Sequence, residues 1–163
     1  MAKHVALDRM YDYHRKLPHY QKPGQPLFIT FRKLGREPFS GPARSVILQH
    51  CAHDHGKRVQ LHAAIVMPDH VHMLIGIPSD AKLSNLIRDF KRITTQIASI
   101  AWQRNFFDHR LRHGESENEK VAYIRANPIR AGLIAEHVVW PYAINSDDLN
   151  EDLRARRTGT PGD

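Results

Sequence analysis

The chain has 163 residues, with 24 lysines and arginines against 17 aspartates and glutamates, for a formal net charge of +7. That length suits one domain with a real core, because a chain of about 150 residues hides roughly two-thirds of its unfolded surface. The single cysteine, Cys51, excludes an internal disulfide scaffold and a cysteine-rich zinc module and suits a reducing cytoplasm. No apolar run approaches the ~20 residues that span a bilayer, and the amino terminus carries no signal-peptide core. A cytoplasmic protein with no membrane partner is expected, and the basic surplus favours a nucleic-acid partner.

Residues 1–25 are polar, rich in His, Lys and Tyr, and interrupted by Pro18, Pro23 and Gly24, which reads as a flexible basic and aromatic arm. Leu27 to Arg32 is rich in β-branched and aromatic residues and predicts a strand. Gly35 to Pro42 is a turn-rich loop. Ala43 to His55 has apolar residues at helical spacing and predicts a helix stopped by Gly56, with Cys51 on its core stripe. Val59 to Val66 and His70 to Ile77 predict two strands joined at Met67-Pro68-Asp69. Leu83 to Trp102 places Leu83, Leu86, Ile87, Phe90, Ile93, Ile97 and Ile100 at spacings of three or four, a long amphipathic helix. Asn105 to Leu111 predicts a fourth strand, and Val121 to Asn127 a short helix ended by Pro128, with a second short helix after it. From Ser146 the chain is charged, then rich in Gly, Pro and Thr, which predicts a disordered tail over 146–163.

The order strand, helix, strand, strand, helix, strand is that of a split βαβ, ferredoxin-like α+β fold: one antiparallel sheet with two helices on one face. A single domain over 26–145 is expected, with an additional C-terminal helix and a second sheet face open to carry a site. No internal repeat and no glycine-rich phosphate loop is present.

His70 and His72 stand at i and i+2 on the third strand, so they share a face while Val71 and Met73 point to the other. Two imidazoles so placed can bind one ion, and they can equally be two exposed surface histidines. Tyr123 and Asn127 stand four apart, the spacing at which helix side chains share a face. A phenol can act as a covalent nucleophile and an amide carbonyl can complete a metal site. The same pair also fits a half-buried helix tyrosine and a helix stop.

Together these runs resemble the REP-associated tyrosine transposases of the single-tyrosine HUH class. The likeness rests on Met67-Pro68-Asp69-His70-Val71-His72, the long helix with Phe90-Lys91, then Trp102-Gln103, Phe107-Asp108-His109, Tyr123-Ile124 with Asn127-Pro128, and Ala131-Gly132-Leu133. It extends from about Leu27 to Tyr142. The resemblance implies a ferredoxin-like fold and cleavage of single-stranded DNA, at hairpins formed by short palindromic repeats, through a 5′-phosphotyrosine. It places the nucleophile at Tyr123, the metal-binding histidines at His70 and His72, and the third ligand at Asn127. One departure is visible: Phe106 and Phe107 stand where many relatives have a tyrosine before the Asp-His pair.

On this reading a divalent ion, Mg2+ or Mn2+, is the cofactor, and Arg32, Arg88, Lys91, Arg92, Arg104, Arg110, Arg112, Arg125 and Arg130 are candidate phosphate contacts. Tyr11, Tyr13 and Tyr20 of the arm are candidates for stacking on unpaired bases. Monomer and homodimer are both compatible. Two other classes fit parts of the pattern: a non-catalytic nucleic-acid-binding module on the same fold, and a zinc hydrolase using the histidines with a water nucleophile. The histidines at 50, 53 and 55 lack the paired cysteines or carboxylates of a structural zinc site.

Overall fold

The computed structural model describes residues 25–151. The expected arm, with Tyr11, Tyr13 and Tyr20, and most of the expected tail lie outside the described residues. The elements are β1 (Leu27–Lys33), α1 (Gly41–His53), β2 (Gln60–Val66), β3 (His70–Gly76), α2 (Leu83–Ala98), β4 (Trp102–Arg110), α3 (Glu117–Arg125), α4 (Asn127–Arg130) and β5 (Ala143–Asn145). The sheet is antiparallel, in the order β4-β1-β3-β2-β5. Its first four strands have the expected split βαβ connectivity.

Strand alternation divides the interior into two layers. Leu27, Ile29 and Phe31 of β1 and Val71, Met73 and Ile75 of β3 face α1 and α2, where they pack with Ile47, Cys51, Leu83, Ile87 and Phe90. Phe28, Ile65 and Leu74 face the other way and meet Ile124 of α3. The sequence reading left the second face open; instead α3 packs over β2 and β3, so that face is not open along its whole width. Burying Ile124 completely contributes roughly 1.5–3 kcal/mol to docking that helix.

Local chemistry sets the element ends. Ser40 caps α1, its Oγ accepting from Ala43 N at 3.2 Å, and Pro42 sits in the first turn, where its missing N–H costs nothing. The long helix stops earlier than expected: Ser99 takes a left-handed conformation (φ 55°) and closes α2 through Thr95 O. Ile100 is still buried, now from the connection to β4, whereas Ile97 is 63% exposed. Pro128 does not end α3. That helix already closes at Ala126, and the buried Pro128 opens α4, as a residue without an N–H can. Two features were not expected. The three-residue β5 pairs with β2. Residues 146–151 are helical and bury Leu149, with Asn145 Oδ1 accepting from the amides of Asp147 and Asp148 at 3.1 Å.

The β1–β4 register shifts between Phe31 and Lys33, opposite the segment from Trp102 to Phe106. Lys91 reaches from α2 into this bulge, and its Nζ donates to the carbonyls of Gln103 (2.8 Å), Asn105 (3.0 Å) and Arg104 (3.5 Å). Replacing Lys91 by Met leaves these acceptors without the ammonium. Charge-assisted bonds of this kind are worth about 1.5–3 kcal/mol, so Lys91→Met is expected to lower the unfolding free energy by about 2 kcal/mol in denaturant titration. An unchanged midpoint would remove the bulge from the stability of β4.

Candidate active site

The center of the second sheet face is built by β1 and β3. Pairing places Thr30 opposite His72 and Arg32 opposite His70. The imidazoles lie at 76° to each other, with their Nε2 atoms 3.1 Å apart. His70 Nδ1 donates to Asp69 Oδ1 at 2.6 Å, and His72 Nδ1 meets Thr30 Oγ1 at 2.6 Å. Phe28 stacks on His72 at 5.2 Å.

One proton assignment satisfies this chain with both rings neutral: Thr30 donates to His72 Nδ1, His72 Nε2 donates to His70 Nε2, and His70 Nδ1 donates to Asp69. Burial holds His72 well below the usual imidazole range, reinforced by the charges of His70, Arg32 and Arg130. The bond to His70, above all, holds the Asp69 carboxyl low.

The same geometry fits a metal ion. Two nitrogens at right angles, each about 2.1 Å from an ion, stand ~3 Å apart; to ligate, His72 would carry its proton on Nδ1 and donate it to Thr30 Oγ1, as His70 donates to Asp69. Among the described residues, no group of three or more His, Cys, Asp or Glu is disposed to hold an ion, so a third ligand drawn from these residues would be of another type.

Tyr123 comes to this face on α3. Its ring meets Phe28 edge-on at 6.3 Å and is 47% exposed. Asn127 follows on α4, its Oδ1 accepting from Arg130 Nη2 at 2.9 Å, while its Nδ2 is buried without a hydrogen-bond partner. The sequence spacing put Tyr123 and Asn127 on one helix. They stand on two, and the guanidinium of Arg130 is what joins them.

The expected phosphate contacts divide by position. Arg32 lies beside the histidines and pairs with Asp69 at 3.3 Å, and Arg130 lies against Tyr123. Arg88 and Arg92 stand exposed on α2, across the sheet. Lys91 is held in the bulge, where burial pushes its ammonium down to about 8. Arg110 shares the α2 side with Leu27, its register partner. Arg112 is exposed beyond β4, and Arg125 is exposed at the end of α3. Sequence reasoning assigned nothing to Thr30, Phe28 or Lys120. The Nζ of Lys120 lies 5.0 Å from the Phe28 ring centre and 5.1 Å from that of Tyr123. Lys120 was legible as the residue three before Tyr123. Thr30 and Phe28 needed the strand register.

His72 has a pH signature. Its folded value lies below the unfolded value of about 6.5, so the unfolded chain binds more protons as the solution is acidified. Its contribution to stability is complete above about pH 6.5 and is lost as the pH falls toward the folded value. Thermal unfolding in chelator from pH 7.5 to 5 is expected to show a smaller acid-side loss for His72→Gln than for the parent chain. Equal slopes would show that burial of His72 does not govern this loss.

Comparisons with known proteins bear on the family and the fold. The family model described as Transposase IS200 like matches residues 33–126. A REP-associated tyrosine transposase of Escherichia coli (strain K12) is 27% identical over 97 residues, covering 58% of this chain and 59% of that protein. A Haemophilus influenzae relative is 25% identical over 127 residues, covering 68% and 70%. In three dimensions the chain is similar to a solved REP-associated tyrosine transposase bound to a REP hairpin, with a TM-score of 0.70, 24% identity, and 85% and 87% of the two chains covered. The chain therefore belongs to the family of IS200-like transposases.

Proposed function

We propose that the chain is a metal-dependent endonuclease and strand transferase that cleaves and rejoins single-stranded DNA beside a hairpin, with Tyr123 as nucleophile. The observation that carries this reading is the convergence of the His70 and His72 Nε2 atoms, 3.1 Å apart, on the face over which α3 brings Tyr123. The hairpin in the related solved structure supports a hairpin substrate here.

Asp69 and Thr30 fix the two imidazoles by their Nδ1 atoms, so that both Nε2 atoms are presented to one point. His70, His72 and the Asn127 carbonyl would hold a divalent ion, magnesium or manganese, which when bound would supply polarisation of the phosphate and neutralisation of its charge. The Tyr123 oxygen attacks phosphorus in line and its proton passes to solvent, to which the half-exposed phenol is open. The bond from phosphorus to the 3′-oxygen breaks, leaving a 5′-phosphotyrosine and a free 3′-hydroxyl. Attack by a 3′-hydroxyl reverses the step, so one phosphodiester is exchanged for another and no external energy source is needed. Lys120, 5.1 Å from the phenol ring, adds positive charge where the anionic phosphate approaches. Tyr123 lies beside Phe28, which stacks on His72 of the same chain, and this supports a tyrosine that serves its own site.

The test is a covalent protein–DNA band on a denaturing gel after incubation with labelled hairpin-flanked single strands and Mn2+. Tyr123→Phe is expected to abolish the band, and His70→Ala or His72→Ala to slow its appearance by about a hundredfold or more, the scale set by loss of several kcal/mol of charge stabilisation. A band retained in Tyr123→Phe would overturn the nucleophile. Binding with no band in the parent chain would favour a non-catalytic module, and cleavage without a band a water nucleophile.

A further inference from the structure

We infer that Arg130 is a positioning residue for the nucleophile, holding the Tyr123 ring and the Asn127 carboxamide in register with each other. The inference rests on the proposed role of Tyr123. Three contacts carry it. The guanidinium carbon lies 3.7 Å from the centroid of the Tyr123 ring, over its face. Nη2 donates to Asn127 Oδ1 at 2.9 Å and to the Tyr123 main-chain oxygen at 3.1 Å.

The joint lies where the two helices are interrupted at Ala126. Tyr123 belongs to α3, which closes at Ala126, and Asn127 to α4, so regular helix geometry does not fix one against the other. The bond from Arg130 is the only side-chain hydrogen bond to Asn127 among the described residues, since Nδ2 is buried without a partner. The amide oxygen has two lone pairs, and Arg130 takes one. Pro128 is buried and anchors the turn from which Arg130 projects.

Arginine is the residue type this task requires. Its planar guanidinium can lie flat on an aromatic ring while donating in its own plane. Lysine has the same charge but neither the plane nor the fork. Arg130 Nη1 and Nε have no hydrogen-bond partner among the described residues, so the same guanidinium could also contact a phosphate.

Arg130→Gln and Arg130→Lys separate the two. At saturating single-stranded hairpin DNA and Mn2+, the single-turnover rate of covalent adduct formation is expected to fall about a hundredfold in Arg130→Gln, the scale of a misplaced reacting group. Arg130→Lys is expected to recover less than a tenth of that loss, while DNA affinity by fluorescence anisotropy changes less than threefold in both. A second measurement uses neither DNA nor metal. With 3-fluorotyrosine at the five tyrosines, the fluorine resonance assigned through Tyr123→Phe is expected to shift in both variants while the other four stay in place. A rate unchanged at saturating DNA with weakened binding would reduce Arg130 to a phosphate contact and overturn the inference. Full rescue by Arg130→Lys, or an unmoved Tyr123 resonance, would overturn it as well. If Arg130→Gln fails to fold, Arg130→Lys decides by the same measurements. A parent adduct that survives Tyr123→Phe refutes the nucleophile, whereas an adduct lost with Tyr123 but indifferent to Arg130 refutes only the positioning.

Discussion

Everything at the site depends on the two-residue period of β3. This strand is hydrogen-bonded on both sides, to β1 and β2, so it can neither slide nor twist away without breaking two ladders. Val71, Met73 and Ile75 lock one face into the layer beneath α1 and α2. The imidazoles of His70 and His72 are thereby committed to the other face. A slip of one residue would exchange the two sets and bury both imidazoles among aliphatic side chains, which the hydrophobic layer forbids. The core thus sets the aim of the histidines, and their mutual distance follows from the pleat.

The phenol reaches the same face by a different device. Ile124 is fully buried against Phe28, Ile65 and Leu74, and its neighbour Tyr123 is left at the solvent edge of that contact. One apolar side chain therefore docks the helix, and the residue beside it is presented. Phe28 serves both groups, stacking on His72 and meeting Tyr123 edge-on.

Much of this was legible in the linear sequence. The alternation around His70 gave the strand and the shared face. The element order gave the connectivity of the first four strands. The lone cysteine read correctly as a core residue, now seen fully buried on α1. What was not legible depended on partners far along the chain. Thr30 lies 42 residues from His72, and only the register joins them. The end of α2 was misplaced because Ile100 continues the apolar spacing, and nothing in that pattern announces a left-handed Ser99. The charges misled in a similar way. Arg88 and Arg92 look like part of a basic stretch, yet the helix that bears them lies across the sheet from the histidines, whereas Arg32, Lys120 and Arg130 gather near them from separate elements. β5 was missed because three residues carry no periodic signal, and it exists because β2 offers an unpaired side.

The ammonium in the β4 bulge also bears on how chains of this protein meet one another. β4 is an outermost strand, and unpaired main-chain groups on such a strand are a template for adding another chain. Between Gln103 and Asn105 the carbonyls are already engaged by Lys91, and the register shift breaks the regular spacing an incoming strand would need. A strand added along this stretch would meet carbonyls that already accept from an intramolecular ammonium. The side chain that closes the bulge thus also makes this part of the rim a poorer template for strand addition.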